Sequence, residues 1–139
     1  QGLRRPRDPA APAPLTEPLG LHVLVAEDNV INQLILRDQL EELGCSVTLV
    51  SDGEQALQTW QREHFDLLLT DVNMPGTNGY ELTRALRQLG CTRPIVGATA
   101  NALRGEEELC LAAGMDRCLI KPFNLQVLFN CLAPYRGSP

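Results

Sequence analysis

Asp66-Leu67-Leu68-Leu69-Thr70-Asp71 stands near the middle of the chain, three adjacent leucines closed by a threonine and an acid. Asp66 to Thr70 reads as a β-strand. It delivers the chain to Asp71 and then to the segment Val72-Asn73-Met74-Pro75-Gly76-Thr77-Asn78-Gly79, whose Pro and Gly content requires a bend.

Outward from this strand, short β-rich runs alternate with longer segments of helical period. Toward the N-terminus, His22 to Ala26 is a buried strand and Ser46 to Val50 a second one. Between them Val30 to Leu43 reads as a helix that places Ile31, Leu34, Ile35, Leu40 and Leu43 near one face and stops at Gly44. Ser51-Asp52-Gly53 opens another helix, through about His64, with Ala56, Leu57 and Trp60 inward. Toward the C-terminus come a helix from about Tyr80 to Leu89, a strand at Pro94 to Thr99, a helix at Ala102 to Ala113, a strand at Cys118 to Ile120 and a helix at Asn124 to Leu132.

Five βα units imply a parallel sheet with helices on both faces, because each crossover helix must bury its apolar side. The expected class is therefore α/β, a three-layer (βα)5 sandwich. Periodicity does not specify strand order; the flavodoxin-like order 2-1-3-4-5 is the usual one for five units and is adopted as the expectation.

The 139 residues, 44% hydrophobic, suit one domain, assigned to 21–135. Residues 1–20 hold five of the ten prolines and read as a disordered Pro-rich linker or a cloning remnant. The longest apolar runs fall far short of the ~20 residues of a membrane helix, and no secretory leader is recognisable, so a cytoplasmic location is expected. The formal net charge of −5 repels phosphate backbones, and with 4% aromatics there is no stacking platform, which argues against direct nucleic-acid binding. Cysteines 45, 91, 110, 118 and 131 show no paired spacing, and His22 and His64 stand far apart. They read as thiols, mostly buried, and not as a zinc site or disulfide framework.

In such sheets ligands bind beyond the carboxyl ends of the strands. The residues expected there are Glu27 and Asp28 after the first strand, Asp71 after the third, Thr99 at the end of the fourth, and Lys121 with Pro122 after the fifth. Three crowded carboxylates repel one another and call for a cation. Oxygen ligands suit Mg²⁺, with Mn²⁺ as a substitute. An Asp71 oxygen could then attack phosphorus while Lys121 balances charge and Thr99 donates its hydroxyl. Lys121 is the only lysine beside eleven arginines, consistent with a position that needs a compact ammonium. Taken singly, each residue has a plainer reading: Glu27 and Asp28 as helix-terminus acids, Asp71 as a turn residue, Thr99 as a β-branched strand residue, Lys121 as a surface lysine. Their joint placement favours the site.

Val25-Ala26-Glu27-Asp28-Asn29, Thr70-Asp71-Val72-Asn73-Met74-Pro75, Ala98-Thr99-Ala100 and Ile120-Lys121-Pro122 together resemble the receiver domains of two-component signalling, over about residues 21–134. Receivers are themselves a standard example of the 2-1-3-4-5 order, so that expectation is not independent of the resemblance. The resemblance implies that Asp71 accepts a phosphoryl group from a phosphohistidine. It also implies that Glu27, Asp28, Asp71 and the Asn73 main-chain carbonyl hold Mg²⁺, and that Thr99 and Lys121 contact the phosphoryl group. Slow autodephosphorylation is implied as well. A histidine kinase or a histidine phosphotransfer domain is the implied partner. The run Asp28 to Asn32 and the Pro-rich leader look most like receivers of hybrid sensor histidine kinases, which would make this the cytoplasmic part of a membrane-bound sensor. A stand-alone or response-regulator receiver would share the same core.

One position departs from the family pattern. Receivers often carry Tyr or Phe three residues before the lysine, and here that residue is Cys118. Signalling is therefore expected through Thr99 and the loop after the fourth strand. Three rivals are weighed. A haloacid-dehalogenase-like phosphatase would want a second acid where Asn73 stands. A flavin or dinucleotide binder would want a glycine-rich turn where the acids stand. A degenerate receiver, acting only as an interaction surface, would not need the complete set of acids, threonine and lysine.

Overall fold

The computed structural model describes residues 19–72, 74, 78–99, 106–121 and 124–135. Among them the elements run β1 (His22–Ala26), α1 (Val30–Glu42), β2 (Ser46–Val50), α2 (Gly53–Arg62), β3 (Leu67–Asp71), α3 (Gly79–Gln88), β4 (Ile95–Thr99), α4 (Glu106–Ala113), β5 (Arg117–Ile120) and α5 (Leu125–Leu132), with a closing 3₁₀ turn at Ala133–Tyr135. The five strands are all parallel, in the order β2-β1-β3-β4-β5. The α/β class, the five units and the expected strand order hold. Expected element limits shift by a residue or two, and the sequence expected to begin the fourth helix at Ala102 lies outside the described residues up to 105.

Side chains alternate across the sheet and build two cores. Val23, Val25, Leu67, Leu69, Val96 and Ala98 meet Leu36 and Leu40 of α1, Leu43 just beyond it, and Leu128, Phe129 and Leu132 of α5. On the other face Leu24, Ala26, Leu68 and Ile95 meet Ala56 of α2, Leu82 and Leu86 of α3 and Cys110 of α4. All five residues of β3 and of β4 are buried, whereas the edge strands β2 and β5 are only partly so. That is why the central runs read as unbroken apolar stretches.

Local chemistry fixes the helix starts. Asn29, Asp52 and Asn124 each accept a hydrogen bond from the backbone N–H three residues on. Asn78 and Glu81 form a reciprocal capping box at the start of α3. Gly44, at φ +86°, ends α1 in the left-handed region that a side chain would strain.

Two expectations are corrected. On α1, Ile31, Leu34 and Ile35 do not share a face with Leu40 and Leu43: they are 64%, 40% and 50% exposed, and the buried stripe is Leu36, Leu40 and the C-cap residue Leu43. The helix carries more apolar residues than one face holds, and at 100° per residue the stripe through 36, 40 and 43 excludes positions 31, 34 and 35. At the other correction, Leu19 and Gly20, counted with the Pro-rich leader on composition, belong to the packed structure. Leu19 is buried, and the N–H groups of the two residues donate to the carbonyls of Leu43 and Gly44. Among the described residues no helix is long and apolar enough to cross a membrane.

Candidate active site

The site is set by strand register. Ala26 lies opposite Thr70 across the β1–β3 ladder, so the next residues, Glu27 and Asp71, arrive together at the carboxyl edge. Asp71 lies opposite Ala98 of β4, and Thr99 opposite Ile120 of β5, which carries the chain to Lys121. The crossovers from β1 and β3 leave in opposite directions along the sheet, and a crevice opens between them at this edge.

Four of the expected side chains meet there. Carboxylate oxygens of Glu27, Asp28 and Asp71 all lie within 4.8 Å of one another. The Lys121 ammonium stands 3.0 Å from Glu27 Oε1 and 3.4 Å from Asp71 Oδ2. Glu27 is 1% exposed and Asp71 is 8% exposed, while Asp28 faces solvent. Thr99 is buried at the end of β4, its carbonyl accepting from the Lys121 N–H at 2.7 Å. Asn73, expected to contribute its main-chain carbonyl, lies outside the described residues, as do Pro75, Pro122 and the loop at 100–105 expected to carry the signal.

Burial of a carboxylate is tolerated only with partners. Glu27 has two: the Lys121 ammonium on Oε1 and the Asn29 N–H on Oε2, at 3.1 Å. Burial pulls the Lys121 ammonium toward neutrality, but the hydrogen bond to Glu27 and the negative charges of Asp71 and Glu27 outweigh it and hold the lysine above its ordinary value. One ammonium still leaves three acids under-compensated. The donor set is all oxygen and hard, which fits a divalent ion such as Mg²⁺ and not a soft one.

Sequence reasoning passed over two supports of this site. Gln33 of α1 reaches back with its side-chain amide to the carbonyl of Glu27, at 2.6 Å, and to that of Val50, at 3.4 Å, tying the β1–α1 turn down. Gly79, read only as part of a bend, sits where a Cβ would stand 2.5 Å from the Asp71 carbonyl oxygen and 2.8 Å from Val72 Cα. The start of α3 thus packs directly on the backbone that presents Asp71. A glycine at a helix start was visible in the sequence; the backbone it would touch was not.

Residues 23–133 match the family described as the response regulator receiver domain. The chain is 44% identical over 133 residues to the sensor histidine kinase RcsC of Escherichia coli (strain K12), a match covering 92% of this chain and 14% of that protein. This chain therefore spans only a small part of that relative. Among solved structures it resembles the receiver domain of sensor histidine kinase PA1611 from Pseudomonas aeruginosa PAO1, described with a magnesium ion coordinated in the active-site cleft. That likeness has a TM-score of 0.78 and 42% identity, over 86% of this chain and 99% of that one. It also resembles the receiver domain of Ssk1 from Saccharomyces cerevisiae, crystallised with the histidine phosphotransfer protein Ypd1, with a TM-score of 0.77 and 29% identity over 84% of this chain and 89% of that one.

Proposed function

The chain belongs to the response regulator receiver domain family, and from that premise we propose that it is a phosphoacceptor in which Asp71 takes a phosphoryl group from a phosphohistidine. The observation that carries this is the Asp71 carboxylate itself: it closes β3, is nearly buried, and lies beside two further acids and 3.4 Å from Lys121. In the proposed step an Asp71 oxygen attacks phosphorus, the phosphorus–nitrogen bond of the donor breaks, and the histidine nitrogen departs with the bonding pair. Lys121 offsets negative charge on the phosphoryl oxygens, and the Thr99 hydroxyl donates to one of them. The Gln33 and Gly79 contacts keep the carboxylates in place, so that little reorganisation accompanies attack.

Glu27, Asp28 and Asp71, with the Asn73 carbonyl, are the proposed ligands of Mg²⁺, or of Mn²⁺ in its place. When bound, the ion supplies positive charge that draws phosphoryl oxygens toward the acids. The magnesium described in the PA1611 receiver supports this assignment. Slow loss of the phosphoryl group to water, with Asp71 regenerated, belongs to the same proposal.

The proposed partner is a histidine kinase or histidine phosphotransfer domain, and the parent protein a hybrid sensor histidine kinase with this segment in the cytoplasm. The likeness to RcsC and to the Ssk1 receiver supports this context. Val30, Ile31, Leu34 and Ile35 form an exposed apolar strip on α1 that begins two residues after Asp28. This strip is the proposed docking surface for a histidine phosphotransfer domain, whose histidine has to reach Asp71.

Incubation with acetyl phosphate and Mg²⁺ tests the reading. Intact mass should rise by one phosphoryl group in the wild-type chain and stay unchanged in Asp71→Ala. Labelling of the Asp71→Ala chain at the wild-type level would refute the assignment of Asp71.

A further inference from the structure

Two thiols outside the carboxylate cluster come together across α4 and β5. Cys110 Sγ lies 3.0 Å from Cys118 Sγ, inside ordinary sulfur–sulfur contact. Their positions differ in accessibility. Cys110 is 0% exposed, on the buried face of α4. Cys118 is half-buried, on the edge strand β5, where it borders an open cleft with Asp116, Arg117 and Tyr135.

We propose that Cys110 and Cys118 form a redox-sensitive modification site, closing to a reversible disulfide that fastens α4 to the edge strand. The sulfurs have to approach by about 1 Å to reach bonding distance, and the eight-residue separation makes a short closed loop.

With a peroxide as oxidant the atoms balance as follows. Cys118 Sγ, the accessible sulfur, attacks one peroxide oxygen and becomes a sulfenic acid, while the other oxygen leaves and is protonated to water. Cys110 Sγ then attacks Cys118 Sγ, the sulfur–oxygen bond breaks, and hydroxide leaves with the Cys110 proton as a second water. Two thiols are oxidised and one peroxide is reduced.

The other buried thiols provide internal controls. Burial pushes Cys45 and Cys131 up to about 11, and a thiol that keeps its proton is a poor nucleophile. They should stay reduced when the pair closes.

The test uses the full chain, treated with hydrogen peroxide at increasing molar ratios, blocked with an alkylating agent and digested without reduction. Trypsin, cutting after Arg104, Arg117 and Arg136 but poorly between Lys121 and Pro122, separates peptides 105–117 and 118–136. The expected result is one cross-linked species joining them, lighter by two hydrogens than its parts, with fragment ions that place the bond on Cys118 and leave Cys131 alkylated. Both thiols should disappear together and return on reduction, and the amides of α4 should exchange with deuterium more slowly in the oxidised chain. Because the chemistry does not involve Asp71, the Asp71→Ala chain should cross-link equally well. Absence of the cross-link at the highest peroxide ratio overturns the proposal, as does modification of Cys118 alone, or a bond that only joins two chains. Unchanged α4 exchange in fully cross-linked protein overturns the fastening of the helix.

Discussion

Asp28→Asn removes one of three mutually close negative charges while keeping the side chain's shape, and its consequences can be worked from the site. At the 4.8 Å limit that encloses the three acids, one pair of like charges costs about 0.9 kcal/mol at a water-like dielectric of ~80 and about 3.5 kcal/mol at ~20. Asp28 is exposed and Lys121 offsets part of the repulsion, so the lower figure is the better guide. Relief from two acidic neighbours then gives a gain of about 1–2 kcal/mol in metal-free buffer. Magnesium reverses the order. At a hundredfold excess over its Kd it stabilises the wild type by about 2.7 kcal/mol, and the variant, lacking a ligand, gains much less. Urea denaturation in chelator and in Mg²⁺ measures both effects. If Asp28→Asn is less stable than wild type without metal, or gains as much from magnesium, the electrostatic account of the site is wrong.

Gly79→Ala brings up to about 1 kcal/mol of helix propensity but places a methyl against the backbone of Asp71 and Val72. A net loss of about 1–3 kcal/mol is expected, with slower phosphorylation by acetyl phosphate, and an unfolding midpoint at or above wild type would contradict the packing described. Alkaline pH should weaken the fold through Cys45 and Cys131, each raised from 9.0 to about 11 by burial. Above pH ~9 the unfolded thiols lose protons that the folded ones retain, so stability present below that pH falls through the folded values, by up to about 3 kcal/mol for each thiol. Urea midpoints between pH 8 and 11 should show this fall, and Ala at both positions should flatten it. Ile31→Ser with Ile35→Ser should change stability by no more than about 1 kcal/mol, since both are exposed. The same variant should slow transfer from a histidine phosphotransfer domain while leaving acetyl phosphate labelling intact. Equal slowing of both reactions would argue against the α1 strip as the docking surface.

The sequence by itself determined the alternation of strands and helices, the buried character of β1, and the presence of acids, a threonine and a lysine at strand ends. These depend on short-range properties, namely the period of apolar residues and the residue that follows each run. Only the tertiary structure decided what lies across the sheet. The Lys121–Glu27 contact joins residues 94 positions apart, and it exists because parallel register brings two strand ends to one edge. Which apolar residues of α1 are buried, why Gln33 and Gly79 matter, why Leu19 belongs to the core and why Cys110 meets Cys118 are likewise settled between elements. Local periodicity carries no record of those distances, because it is set along the chain and they are set by packing.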